Sequence, residues 1–167
     1  TCGELYSKFN NLLSRFTGIM YGGCWFSTKK IISIIMNEQP DVVHLHCING
    51  YWVNIYRLVT WLRDHGIPTV LTLHAEFMYT ANCGYALECE KYKNGCIKCE
   101  KFKKETKSLF FNNTAVSFLK MKKAFDGFED LTVIGVSEWL TERAKLSPIF
   151  PKNTRFQTVH NGIDTEI

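Results

Sequence analysis

Apolar residues recur at helical spacing near the start of the chain, where Leu5, Phe9, Leu12, Leu13 and Phe16 fall three or four positions apart before Thr17-Gly18 and a Tyr21-Gly22-Gly23 stretch break the run. A second helix is predicted next. Ser27 or Thr28 is placed to cap it, Ile31, Ile32, Ile34 and Ile35 give it an apolar face, and Pro40 marks its end. The period then changes, and Asp41-Val42-Val43-His44-Leu45-His46 reads as a buried strand. A helix over about Tyr51 to His65 follows, with Ile55, Leu58, Val59 and Leu62 inward and Gly66 and Pro68 as its stop. Thr69-Val70-Leu71-Thr72-Leu73 is the next strand. Strand, helix and strand within one short unit imply a parallel pair joined by a right-handed crossover.

Beyond a cysteine-bearing loop, Thr114 is placed to cap a helix carrying Val116, Leu119 and Phe125, and Leu131 to Val136 forms a third strand. Ser137 ends that strand and caps a helix over Trp139 to Leu146, with Glu138 favourable beside the positive helix N-terminus. Arg155 to His160 is a fourth strand, followed by Asn161-Gly162-Ile163-Asp164. The predicted fold class is therefore α/β: a Rossmann-like parallel sheet flanked by helices, in a single domain, with a cysteine-rich insertion over about 75–105.

Composition agrees with one globular domain, since 167 residues with 46% hydrophobic content suffice for a core. The net charge of +4 is local, around Lys91 to Lys107 and Lys120 to Lys123, and is too weak to indicate a nucleic-acid binder. No run of about 18 apolar residues exists to cross a membrane. The chain begins with Thr1, so an upstream segment is expected. Seven cysteines, three of them (Cys2, Cys24, Cys47) scattered, favour a reducing compartment, and a cytoplasmic location is predicted.

The four strands end in His46, His74, Ser137 and His160, which would bring polar groups to one rim of the sheet, where open α/β sheets hold ligands. His74 is the candidate functional residue. His44, His46 and His160 are read as structural, and Ser137 as a helix cap. Cys83, Cys89, Cys96 and Cys99 are spaced by five, six and two intervening residues in a loop far longer than the roughly 12 to 15 residues that compact domains leave unstapled. A tetrahedral zinc site would hold it, because Cys96-Ile97-Lys98-Cys99 has chelating spacing and Lys91, Lys93, Lys98 and Lys101 offset the thiolate charge. Two disulfides, or four buried thiols, stay open as alternatives. Such a zinc would be structural, since four thiolates leave no open position for substrate.

Val42-Val43-His44-Leu45-His46, Pro68-Thr69-Val70-Leu71-Thr72-Leu73-His74, the tyrosine and cysteine loop, Val136-Ser137-Glu138-Trp139-Leu140 and Asn161-Gly162-Ile163-Asp164 resemble, in that order, the amino-terminal half of a family 4 glycosyltransferase. The likeness runs from about Phe26 to the end and is nearest to bacterial members that assemble capsule, exopolysaccharide or lipopolysaccharide. It implies a GT-B enzyme with two Rossmann-like domains facing across a cleft, the first receiving a glycan or lipid-linked acceptor and the second holding the nucleotide-sugar. On that pattern the chain is a fragment that stops at the hinge, lacks the donor domain with its paired glutamates and the first strand with its glycine-rich loop, and is inactive alone. The resemblance implies sugar transfer with retention of configuration and no catalytic metal. His74 matches the histidine that reaches toward the transferred sugar and orients it in the transition state. Ala75 stands where relatives carry aspartate, which leaves Glu76 as the candidate acceptor-side carboxylate. Asn49 and Tyr51 resemble the segment near the acceptor. Ser137 joins them as a substrate-side candidate. Lipid-linked acceptors would make the enzyme peripheral to the inner face of the membrane, through the basic loop and its aromatics.

A reading from a different class is a non-catalytic, zinc-stapled module in which Tyr85, Tyr92 and Phe102 stack on nucleic acid or the basic loop meets an acidic partner. Interleaved Glu88, Glu90, Glu100 and Glu105 weaken that surface. A dinucleotide-binding Rossmann domain lacks support, because no Gly-x-Gly-x-x-Gly follows a strand.

Overall fold

The computed structural model describes residues 3–162. Four strands, β1 (Val43–His46), β2 (Thr69–Leu73), β3 (Leu131–Gly135) and β4 (Arg155–Thr158), form one sheet in the order β1-β2-β3-β4, with every neighbouring pair parallel. The register explains the alternation along each strand. Leu45, Leu71, Val133 and Phe156 form one row across the sheet, of which the first three are buried and Phe156 half-buried. The next row, His44, Val70, Thr132 and Arg155, points to the opposite face and is exposed or half-exposed. One face of the sheet therefore carries the buried Leu45, Leu71 and Val133, while the other mixes exposed His44, His46, Arg155 and Gln157 with half-buried Val70, Thr132 and Ile134.

Helix α1 spans Glu4–Thr17 and α2 spans Trp25–Glu38. The predicted cap of α2 shifts: the helix starts at Trp25 after Cys24, and the hydroxyls of Ser27 and Thr28 donate back to the Cys24 carbonyl at 3.0 and 2.6 Å. Helix α3 (Ile55–Asp64) begins later than the pattern suggested, because Asn54 is the cap and accepts from the Arg57 amide at 3.0 Å. Its predicted inward set, Ile55, Leu58, Val59 and Leu62, is buried as expected. Each such side chain contributes on the order of 1.5 to 3 kcal/mol.

The long loop after β2 is broken by two one-turn helices, α4 (Phe77–Thr80) and α5 (Phe102–Glu105), and a 3-10 turn at Lys91–Asn94. Helix α6 (Thr114–Phe125) packs against α3. Its cap is Asn113 rather than Thr114, and its inward face is Ser117, Phe118, Met121, Ala124 and Phe125, whereas Val116 and Leu119 are exposed. Helix α7 (Glu138–Lys145) lies on β3 and β4. A Cβ at Gly135 would collide with Thr141 Oγ1 and lie 2.9 Å from the Thr141 nitrogen, so glycine lets the first turn of α7 sit on the end of β3. Among the described residues no helix is long and apolar enough to cross a membrane. Of the Asn161 to Asp164 motif, Ile163 and Asp164 lie outside the described residues.

Candidate functional site: the strand-end rim and its cysteine-bearing flap

Parallel pairing sends the carboxyl ends of all four strands to one edge, and His46, as the last residue of β1, meets His74, the first residue after β2. His74 Nε2 lies 3.1 Å from His46 Nδ1, a hydrogen bond in which one ring donates and the other accepts. Two-residue periodicity puts His44 on the same face as His46, with ring centroids 4.4 Å apart, and His44 Nε2 is 2.7 Å from Thr72 Oγ1. All three imidazoles are exposed. Partial burial, and then the charge of His46, hold His44 below the usual imidazole range and favour its neutral form. An exposed pair of hydrogen-bonded rings presents donor and acceptor nitrogens suited to hydroxyl groups of a ligand.

The other candidates divide. Ser137 caps α7, accepting from the Leu140 amide at 3.3 Å, and follows the end of β3 next to His74's strand. Asn49 is exposed beyond β1, and His160 is exposed beyond β4. Tyr51 sits in a left-handed backbone conformation (φ 56) and turns into an aromatic cluster, its ring 4.7 Å from Tyr21, which in turn packs edge-on to Phe77 at 4.6 Å. Burial raises the Tyr51 phenol above its ordinary pKa.

Glu76, the candidate acceptor-side carboxylate, is turned into the protein rather than exposed. It is 1% exposed, and its Oε1 accepts from Tyr79 Oη at 2.5 Å and from Arg143 Nε at 2.8 Å. Its Oε2 accepts from the amides of Ala86 and Leu87. Arg143 lies over the rings of Tyr92 (5.0 Å) and Trp139 (4.9 Å) and donates through Nη2 to the Cys89 carbonyl at 3.4 Å. Burial, followed by the bond to Glu76, pushes the Tyr79 phenol well above its usual range. This buried carboxylate ties the insertion to α7, the helix that Ser137 caps, so it holds the flap beside the rim. The sequence offered one signal for it, since Glu76 and Tyr79 are three apart and share a face of a helical turn; Arg143, 67 residues further on, had none.

Cys83 and Cys96 are buried, and Cys89 and Cys99 are half-buried. These four, with Cys47, are free thiols, so no disulfide staples the loop. Burial raises the Cys83 thiol, and Glu105 and then the three other thiols of the cluster raise it further. Burial likewise pushes Cys96 up to about 12, helped by Cys89 and Cys99. The four sulfurs share one neighbourhood, yet among the described residues no group of three or more His, Cys, Asp or Glu side chains is arranged to hold a metal ion.

Comparison with known proteins adds a sequence relationship. The chain is 34% identical over 72 residues to the Escherichia coli (strain K12) protein named "Putative colanic acid biosynthesis glycosyl transferase WcaC", a match covering 40% of this chain and 18% of that relative. The chain thus spans about a fifth of the relative it matches. No family model matches the chain, and no solved structure matches it. The match supports a glycosyltransferase relationship for a domain whose parallel α/β sheet is independently visible.

Proposed function

We propose that this chain is the acceptor-side domain of a retaining family 4 glycosyltransferase of the GT-B fold, working in the cytoplasm in polysaccharide assembly. It receives a glycan or lipid-linked acceptor, while a second domain binds the nucleotide-sugar. The observation that carries this reading is the exposed His74 imidazole at the carboxyl rim of a parallel sheet, hydrogen-bonded to His46, in a chain related to a bacterial glycosyl transferase.

In this reading His74 hydrogen-bonds and orients the sugar in the transition state rather than attacking it. His46 fixes the ring of His74 by occupying its Nε2. Asn49, exposed beyond β1, and Ser137, at the end of β3, border the acceptor side of the rim. Tyr51 and Glu76 support its walls from within. The leaving diphosphate is neutralised mainly by helix N-termini and basic groups of the second domain.

Cys83, Cys89, Cys96 and Cys99 enter the proposal as ligands of a structural zinc that closes the flap. Support comes from the chelating Cys96-Ile97-Lys98-Cys99 spacing and the shared neighbourhood of the four thiols. Elemental analysis of protein purified without chelator should find one zinc per chain, and metal-free protein would remove the zinc.

The test of function is transfer of labelled sugar from a panel of uridine- and guanosine-diphosphate sugars to bacterial glycolipid extract. The enzyme containing this chain together with a nucleotide-sugar domain should form labelled product, and the chain alone should not. Failure of every donor with the complete enzyme would overturn the activity; transfer by the chain alone would overturn the division of labour.

A further inference from the structure

Helices α2 and α3 line an open groove of about 850 Å³, a volume within the range of ligand-binding clefts. On α2 the lining stripe is Trp25, Lys29, Ile32 and Met36; on α3 it is Arg57, Thr60, Trp61 and Asp64, both sets falling three or four residues apart on one face of their helix. The α3 stripe lies on the side of the helix away from buried Leu58, Val59 and Leu62. Lys120 of α6 lines the groove as well. Its walls are fixed by bonds within the protein. The Asn54 amide donates to Thr28 Oγ1 at 2.7 Å, Asn54 Nδ2 to the Gly22 carbonyl at 2.8 Å, and the Tyr56 hydroxyl to the Met20 carbonyl at 2.8 Å, which fastens the start of α3 to α2 and to the turn before it. The half-buried Trp61 ring stacks on His65 at 4.2 Å, whereas Trp25 is 61% exposed. Helix α1, whose apolar side is turned outward with Leu5, Phe9 and Leu12 exposed, does not line this groove.

We propose that this groove binds an acidic oligosaccharide, a chain of sugars that carries carboxylates. Lys29, Arg57 and Lys120 are exposed, and among the described residues none of the three lies in an ion pair. Asp64, the carboxylate of the lining, is already engaged by Arg63 of its own helix at 2.7 Å. The groove therefore holds uncompensated positive charge, which carboxylates meet in charge-assisted hydrogen bonds. The cations come from three helices, an arrangement that suits several charges spread along a chain better than one compact anion. No helix N-terminus of the groove is left to cradle a phosphate, because Asn54 caps α3 and accepts from the Arg57 amide at 3.0 Å. The groups between the cations suit sugars. The indoles of Trp25 and Trp61 offer electron-rich faces to the polarised C–H groups of a sugar ring, and the hydroxyls of Ser33 and Thr60 can exchange hydrogen bonds with sugar hydroxyls. Since α3 follows β1, the groove opens at the rim end of that helix, at Asn54, and runs to Asp64. Its lining shares no residue with the rim, and binding here does not depend on the sugar-transfer reading.

The test is titration calorimetry of the chain, with tryptophan emission read in parallel, against four probes: oligogalacturonate, a neutral maltooligosaccharide of the same length, uridine diphosphate and a single-stranded oligonucleotide. Oligogalacturonate should bind with a change in emission, more tightly than the other three, and should weaken as salt is added. Trp25→Ala should weaken that binding about tenfold or more. Arg57→Gln with Lys120→Gln should remove the preference for the acidic chain over the neutral one. Both variants should keep the circular dichroism spectrum, because all three side chains are exposed. Lys30→Gln, an exposed charge on α2 that does not line the groove, should leave binding unchanged. Absence of oligogalacturonate binding, equal binding of the maltooligosaccharide, or tighter binding of uridine diphosphate or the oligonucleotide would each overturn the proposal. So would binding that the groove variants leave unaltered, or that Lys30→Gln weakens as much as they do.

Discussion

Replacing Arg143 with alanine should unfasten the flap, and the structure sets the scale of the loss. Among the described residues the guanidinium is the only cation bonded to Glu76, a carboxylate 1% exposed, and its departure leaves Tyr79 Oη and two amides as donors. Removing one partner of a buried pair costs about 3 to 5 kcal/mol, because the remaining charge stays desolvated. The stacking of Arg143 on Tyr92 and Trp139 is lost as well, each such contact being worth about 0.5 to 1 kcal/mol where exposed and more where buried. A domain of this size is stable by about 5 to 15 kcal/mol in all. A melting point lower by about 6 to 20 °C follows from about 2 to 4 °C per kcal/mol. Thermal melts followed by circular dichroism measure it, and a cycle with Glu76→Gln isolates the pair. Arg143→Met with Glu76→Gln should be less damaging than the sum of the single changes, with a coupling of about 1 to 3 kcal/mol. A loss under about 1 kcal/mol for Arg143→Ala, or strict additivity, would show that the pair behaves as an exposed one and would refute the reasoning.

Other consequences are testable on the chain itself. The Cys96 thiol is raised from 9.0 to about 12, so the unfolded chain releases its proton first as pH rises; the zinc-free protein should lose stability across that window, and chelated and zinc-loaded samples compared by urea melts should diverge there. Equal alkaline slopes in the two samples would count against thiolate ligation. His44 is held below 6.5, so its contribution is present above that value and is lost as pH falls through it toward the lowered folded-state pKa; His44→Gln should flatten the acid limb of the stability curve, and an unchanged limb would contradict the assignment. Gly135→Ala should cost about 1 to 3 kcal/mol by driving a methyl group into Thr141, measured by chemical denaturation, and a neutral effect would mean that α7 shifts freely.

Much of this architecture is legible in the sequence because its signals are local. β2 is found over the same residues, the inward face of α3 is found residue by residue, and the Ser137 cap follows from a serine before a helical run. Where the pattern is ambiguous, packing decides. Helix α6 has apolar residues nearly all round, so periodicity does not choose between Val116 with Leu119 and the larger Phe118 with Met121 that the core accepts. Helix α1 misleads more deeply, since amphipathicity locates a helix without saying which way its apolar side turns. The strand-end rim was visible as a row of polar residues, but the pairing of His46 with His74 depends on register between strands 28 residues apart. The burial of Glu76 depends on an arginine in another element, and residue type alone marks a loop glutamate as solvated.

Sugar transfer by the complete enzyme, with His74→Ala set beside His160→Ala, probes the role of the rim most directly. A positioned polar group at the reacting centre predicts a fall in kcat on the order of a hundredfold for His74→Ala. The exposed His160 beyond β4 should be replaceable with little change. Full turnover in the His74 variant would contradict the assignment of this imidazole to the transferred sugar.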